Sequence, residues 1–413
     1  MSLIRPFAGL RPKPEYAEDV VAPPYDVLNT EEARTRAEGR PYSFLHISKP
    51  EIDLPPGTDP FSAEVYAKGA ENLQAQLKQQ ILQQDTQACY YLYRLIMGEH
   101  SQTGLVAVAS VPDYDSNRIR KHEFTRPDKE DDRVRQVDAL NAQTGPVFLT
   151  YRHDERVDAL VKEVCAASPE YDLKADDGVQ HTLWVVKEQS LIDELTARFD
   201  AMDCLYIADG HHRSAAGSRV AAMRKQSNPS HTGEEAYNYF LTVIFPDNQM
   251  KILDYNRVIK DLNGLDKAAF LAAVEKSFDV AQQDAAVKPA KAGEFGMYLD
   301  GQWYRLHVKD ELIPKTDPVK RLDVSLLQDN LIEPVLGIAD PRRDKRIDFV
   351  GGIRGLTELE KRVNSGEMAV AFALHATSLD DLMSVADANE VMPPKSTWFE
   401  PKLADGLVSH VLD

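Results

Sequence analysis

Cysteine is scarce in this chain. Cys89, Cys165 and Cys204 are the three in 413 residues, far apart and in no metal-ligand spacing. That excludes a disulfide framework and a cysteine-ligated zinc module, and it fits a reducing compartment. Long apolar runs are missing too. No stretch approaches the roughly 18 consecutive apolar residues of a membrane helix. The opening "MSLIRPFAGLRPKPEY" has no apolar core of signal-peptide length. The expected location is the cytoplasm, with no membrane partner. Basic residues are outnumbered, 48 against 66 acidic, for a net charge of −18. Phosphate-tracking surfaces need clustered Lys and Arg, so nucleic acid is not an expected partner. Glycine is missing where common nucleotide folds require it: there is no GxxxxGK[ST], no GxGxxG after a strand, and no GxSxG elbow.

The length, with 43% apolar residues, is enough for a sizeable core divided over two or three domains. "ACYYLYRLIMG" and "TGLVAVASV" read as paired strands about a polar turn, and "GPVFLTY", "HTLWVVK" and "YFLTVIF" as further strands. Val20 to Ala22 is a short strand candidate, and Asn29 or Thr30 an N-cap. Phe61 to Gln84, Asp154 to Ser168 and Ser190 to Asp200 have helical periodicity. "EFGMYLDGQWYRLHV" reads as a hairpin turning on Asp-Gly. Helices and strands alternate, so the class is α/β, or α+β, with mixed sheets. The expected division is 1–247 as the functional region, 248–318 as a smaller α+β segment, and 319–413 as a helical region returning to the core.

One stretch stands apart, "CLYIADGHHRSAAGSRVAAMRK" (Cys204 to Lys225). A strand delivers Asp209 at its carboxyl end. Gly210 permits a sharp turn with positive φ. His211, His212, Arg213 and Ser214 then open a helix, whose free N–H groups and dipole favour an anion. Arg213 adds a planar fork suited to phosphate. Ala215, Ala216 and Gly217 let the helix approach a sheet. The stretch reads as a phosphate cradle beside a carboxylate; the plainer alternative is a capped connection with exposed histidines. Zinc on the His211–His212 pair is disfavoured, because adjacent helical side chains diverge by about 100°.

Other clusters accompany it. "KHEFTRPDKEDDR" (Lys121 to Arg133) gathers His122, Glu123, Thr125, Arg126, Lys129, Asp132 and Arg133. It reads as a solvated loop or as a catalytic loop, with Glu123 as a base or magnesium-associated carboxylate and the cations as phosphate clamps. "VVAPPYDV" fixes Tyr25 and Asp26 after two prolines, and "YNRVIKDL" places Asn256 and Arg257 after a strand. In "PPKSTWFEPKL", Lys395 or Lys402 is long enough to reach a phosphate.

These stretches, together with "LDVSLLQDNLIEPVLGI", resemble the bacterial domain-of-unknown-function family numbered 1015 over nearly the whole chain. The Asp-Gly-His-His-Arg element also resembles that of the archaeal free serine kinase, in the ParB/sulfiredoxin-like superfamily. Sulfiredoxin has cysteine in the comparable turn, whereas His211 stands here, so thiol-based sulfinic-acid repair is not expected. The resemblance implies a ParB/sulfiredoxin-like nucleotide-binding core with added mixed-sheet segments. It implies a small-molecule kinase that uses Mg2+ with ATP or ADP and phosphorylates a hydroxyl amino acid, free L-serine first. Asp209, Glu123 and His211 would then be catalytic, with Asp209 and Glu123 near the metal. Gly210 to Ser214 with Thr125, Arg126, Lys129 and Arg133 would hold phosphate, and Tyr25, Asp26, Asn256 and Arg257 the substrate. A non-catalytic nucleotide-binding regulator and a metal-dependent phosphohydrolase are the alternatives, and a homodimer is left open.

Overall fold

β-Branched and aromatic residues dominate two neighbouring runs, and the two form one hairpin. Tyr91 pairs with Val106 and Met97 with His100, across Gly98 and Glu99. The computed structural model of the chain describes residues 2–413. It divides into two units, residues 1–250 with 401–413, and residues 251–400.

The first unit is built on a nine-stranded sheet. In chain order the strands are β1 (Ile4–Arg5), β2 (Tyr90–Met97), β3 (His100–Ser110), β4 (Ile119–Arg120), β5 (Val147–Tyr151), β6 (Tyr171–Lys174), β7 (Gln180–Val186), β8 (Leu205–Asp209) and β9 (Tyr239–Pro246). They lie in the order β4-β8-β5-β9-β3-β2-β7-β6, with β1 also against β3. β8 runs parallel to β4 and β9 parallel to β5, while the other pairs are antiparallel. The class is therefore mixed α/β. β5 and β9 are buried along their whole length, which is why both read as continuous apolar runs. Helices α1 (Ala63–Lys78), α2 (Pro127–Leu140), α3 (Glu155–Val164), α4 (Gln189–Asp200) and α5 (His211–Ser227) belong to the same unit. Val134, Val157, Leu195, Phe199, Ala216 and Val220 carry their apolar faces into one core with Leu92, Leu149 and Ile244 of the sheet.

Three local expectations change. Val20 ends a short helix, Ala17–Val20, and Ala22 makes a bridge to Asp405 instead of a strand. Pro23 and Pro24 have no N–H to extend a ladder. The helix expected over Phe61 to Gln84 stops at Lys78, Gln80 turns left-handed, and Leu82–Gln84 is a strand. The charged segment is helical from Pro127 onward, because proline suits the first helical position.

The second unit has a six-stranded sheet, all antiparallel. It is made of β10 (Tyr255–Ile259), β11 (Phe278–Gln283), β12 (Glu294–Leu299), β13 (Gln302–Val308), β14 (Ile347–Gly351) and β15 (Val370–Leu374), in the order β11-β13-β12-β15-β10-β14. β15 separates β12 from β10, so the stretch 248–318 does not close a sheet of its own. Of the tail, 401–413 joins the first unit, through Ser409 with Leu10 and His410–Val411 with Ala142–Gln143. No helix among the described residues is long and apolar enough to cross a membrane.

Candidate functional site

The site begins with an irregularity in β8. Its pairing with β5 shifts register between Ile207 and Asp209. Such a shift re-aims the side chain that follows, here Asp209. Gly210 follows at φ 95°, where a side chain is strained. A Cβ there would also stand 3.3 Å from the Val147 Cα. α5 starts at once, with Arg213 and Ser214 donating their N–H groups to the Gly210 carbonyl. The N–H groups of His211 and His212 have no intrahelical acceptor, so the bend presents donors and the positive end of a helix.

Cations converge on the carboxylate at this end. Lys402 donates to Asp209 at 3.1 Å. Burial opposes ionisation of Asp209, but Lys402 and Arg213 overcome it and hold the carboxyl well below its ordinary range. Arg213 donates to Asp26 at 3.2 Å and to the Pro146 carbonyl. Arg133 lies 3.8 Å over the Tyr25 ring and is paired with Asp132 at 2.7 Å. Tyr25, Ser48, Arg133, Gln136, Thr144 and Arg213 are among the residues lining a narrow cavity, which the bend reaches through Arg213, while Gly210 and His211 are themselves buried. The Ser48 hydroxyl is buried there with no hydrogen-bond partner. Asp405 sits behind Tyr25, accepting its backbone N–H at 3.3 Å.

On another side of the bend two histidines meet. His211 is 4% exposed, and its ring stands edge-on to that of His122 at 4.5 Å. Its Nδ1 is 3.8 Å from the Glu123 carboxylate. Burial pushes His122 down to about 4, and His211 also well below the ordinary range, so both rings are neutral at pH 7. His212 turns elsewhere: its Nε2 accepts the Arg126 N–H at 3.0 Å, tying the helix to the preceding loop.

The structure thus brings together Tyr25, Asp26, Glu123, Arg133, Asp209, Gly210, His211 and Arg213. Other sequence candidates are spent elsewhere. Ser214 is fully buried and donates to the His211 carbonyl at 3.0 Å. Thr125 donates to Glu130, and the exposed Arg126 guanidinium pairs with Asp128. Lys129 lies 5.5 Å over the Phe61 ring. Asn256 and Arg257 belong to β10 of the second unit. There Asn256 bonds Asp254 and the Leu374 N–H, and Arg257 the carbonyls of Tyr255 and Lys395. Both are buried with those groups engaged by the protein's own backbone and Asp254. Lys402 was legible as a long cation near a phosphate site. His122 was visible in the charged cluster but carried no indication of a role, and Asp405 stood in an unremarkable tail.

The model of the family described as "Protein of unknown function (DUF1015)" matches residues 4–325. The chain belongs to that family. No curated protein matches it. Among solved structures, it is similar to a free serine kinase in complex with AMP, with 14% identity, 73% of this chain and 92% of that chain covered, and a TM-score of 0.35. It is similar in the same way to a conserved hypothetical protein from Pyrococcus furiosus, with 15% identity, 73% and 94% covered, and a TM-score of 0.35. SbnI from Staphylococcus aureus, truncated at its C-terminus, is a third, with 10% identity, 73% and 85% covered, and a TM-score of 0.33.

Proposed function

We propose that this DUF1015 protein is a phosphotransferase. It takes a phosphoryl group from ATP or ADP, with Mg2+, and places it on the hydroxyl of a small amino acid, free L-serine first. One observation carries the reading: Lys402 and Arg213 converge on Asp209 at the amino end of α5. Phosphoryl transfer needs little covalent chemistry from a protein and much positioning and charge neutralisation. The bend supplies both. The N–H groups of His211 and His212 and the Arg213 fork receive donor phosphates, and Lys402 is within reach to neutralise them. Magnesium bridging those phosphates would spread the charge that builds on the leaving group.

Asp209 stands beside the same helix end, next to Gly210. A carboxylate held so firmly ionised is a weak base, so its role is to orient the acceptor hydroxyl, which a loose transition state tolerates. Asp26, 39% exposed on its side chain and anchored by Arg213, is placed to meet the ammonium of an amino acid. Arg133, which lines the cavity with Tyr25, would meet the carboxylate.

The test is direct. Purified protein, Mg2+, labelled ATP or ADP and L-serine should yield O-phosphoserine, and Asp209→Asn, which disturbs the orientation of the hydroxyl, should lower turnover about a hundredfold. No phosphorylated amino acid from any donor and acceptor pair would sink the reading.

A further inference from the structure

His122 and His211 are 89 residues apart in sequence and meet at the bend, where His211 Nε2 accepts the His122 backbone N–H at 3.4 Å and its Nδ1 lies 3.8 Å from Glu123. One nitrogen of each ring and a carboxylate oxygen of Glu123 lie within 4.8 Å of one another. His122 is 2% exposed, and its Nδ1 has no hydrogen-bond partner. A buried polar atom without a partner costs about 1–3 kcal/mol and asks for an explanation, an ion among them. The same ring is held by the Ile207 carbonyl. An imidazole that donates from one nitrogen to a carbonyl keeps a lone pair on the other, as the rings of metal-binding histidines do.

We infer that His122, His211 and Glu123 form a binding site for a divalent first-row transition ion, of which zinc is the representative. The inference goes beyond the phosphotransfer reading and does not rest on it, because the ion would bind without nucleotide. Two imidazoles and one carboxylate suit zinc and its neighbours, whereas Mg2+ and Ca2+ take oxygen ligands. The pair is not the adjacent His211 and His212, which helical geometry splays apart. His211 pairs instead with a loop histidine, and His212 is engaged with the Arg126 N–H. Metal–ligand bonds of about 2.0–2.2 Å bring ligand atoms closer than the present spacing. Glu123, 51% exposed on its side chain, is the surface ligand of the three, beside two buried histidines. Three protein ligands leave positions for water or for an oxygen of a bound substrate, the arrangement of a reactive site and not of a closed structural one.

The probes are Zn2+ and Co2+ alone, added to the full chain after chelator treatment and dialysis. About one equivalent should be retained per chain and should persist in excess Mg2+, with a visible Co2+ spectrum of nitrogen and oxygen ligation. Glu123→Gln, at an exposed side chain, should weaken Zn2+ at least tenfold. His122→Gln should abolish retention while the far-ultraviolet circular dichroism is unchanged, and His212→Gln should keep the full equivalent. Absence of retained Zn2+ and Co2+, or unaltered affinity in Glu123→Gln, overturns the site; Glu123→Gln keeps the test valid should His122→Gln fail to fold. Zinc retained without O-phosphoserine sinks the kinase reading alone, and O-phosphoserine formed by a protein that retains no zinc sinks this one alone.

Discussion

Asp405 shows how much of this site rests on a single buried group. It is 1% exposed, with one carboxyl oxygen on the Tyr25 N–H and the other without a partner. Burial pushes its carboxyl up to about 7; Arg213 and Arg133 pull down and Asp26 pushes up. The folded value stands above that of the unfolded chain, near 4. Between about pH 4 and 7 the folded state therefore keeps a proton that the unfolded chain has released, so stability falls as pH rises through that window. The whole span is worth roughly 4 kcal/mol. Asp405→Asn cannot titrate and keeps an acceptor for Tyr25. Its melting temperature relative to the parent should climb from pH 4.5 to pH 7.5, and thermal denaturation across that series measures it. A difference constant with pH would show that the carboxyl titrates at its ordinary value.

At the scale of elements, the junction of β8 and α5 is fixed by Gly210. Its φ of 95° is strained for any side chain, and a Cβ would crowd the Val147 Cα at 3.3 Å. Gly210→Ala should lose about 1–2 kcal/mol in chemical denaturation. It should also weaken ATP binding, measured by calorimetry, because the first turn and Arg213 move together. Full affinity in a destabilised Gly210→Ala would separate the bend from nucleotide binding. This junction was legible because its signal is local: an apolar run, one glycine, then polar residues opening a helix. The same holds for the Asn29 cap, whose side chain accepts the Glu32 N–H, and for the hairpin on Asp300 and Gly301, both at positive φ. What sequence did not reveal is set by long-range pairing. The bridge from Ala22 to Asp405 carries Asp405 beneath Tyr25, and the same tail carries Lys402 to Asp209. Nothing within several residues of either position encodes those meetings. The directions of the Ser214 hydroxyl, toward the His211 carbonyl, and of Lys129, over the Phe61 ring, were not legible for a related reason, since composition gives the presence of a polar group but not the way it turns.

At the scale of the molecule, the second unit is an insertion between Met250 and Pro401. Its two ends are zipped: Lys251 pairs with Glu400 and Leu253 with Trp398, in antiparallel register. Entry and exit therefore lie side by side, the geometry in which an inserted domain costs its host little chain entropy. Leu403, Leu407, Val408 and Leu412 of the returning tail are buried, so the first unit needs 401–413 for its core as well as for its site. Replacing residues 251–400 with a short Gly/Ser linker should leave a first unit with one cooperative thermal transition. Deleting 401–413 as well should abolish that transition. The linked chain also decides a functional matter. Asn256 and Arg257 leave with the second unit, so O-phosphoserine formation by the linked chain would show that transfer needs neither. A linked chain that melts cooperatively and binds ATP, yet transfers nothing to serine, would place an essential part of acceptor recognition in the inserted unit.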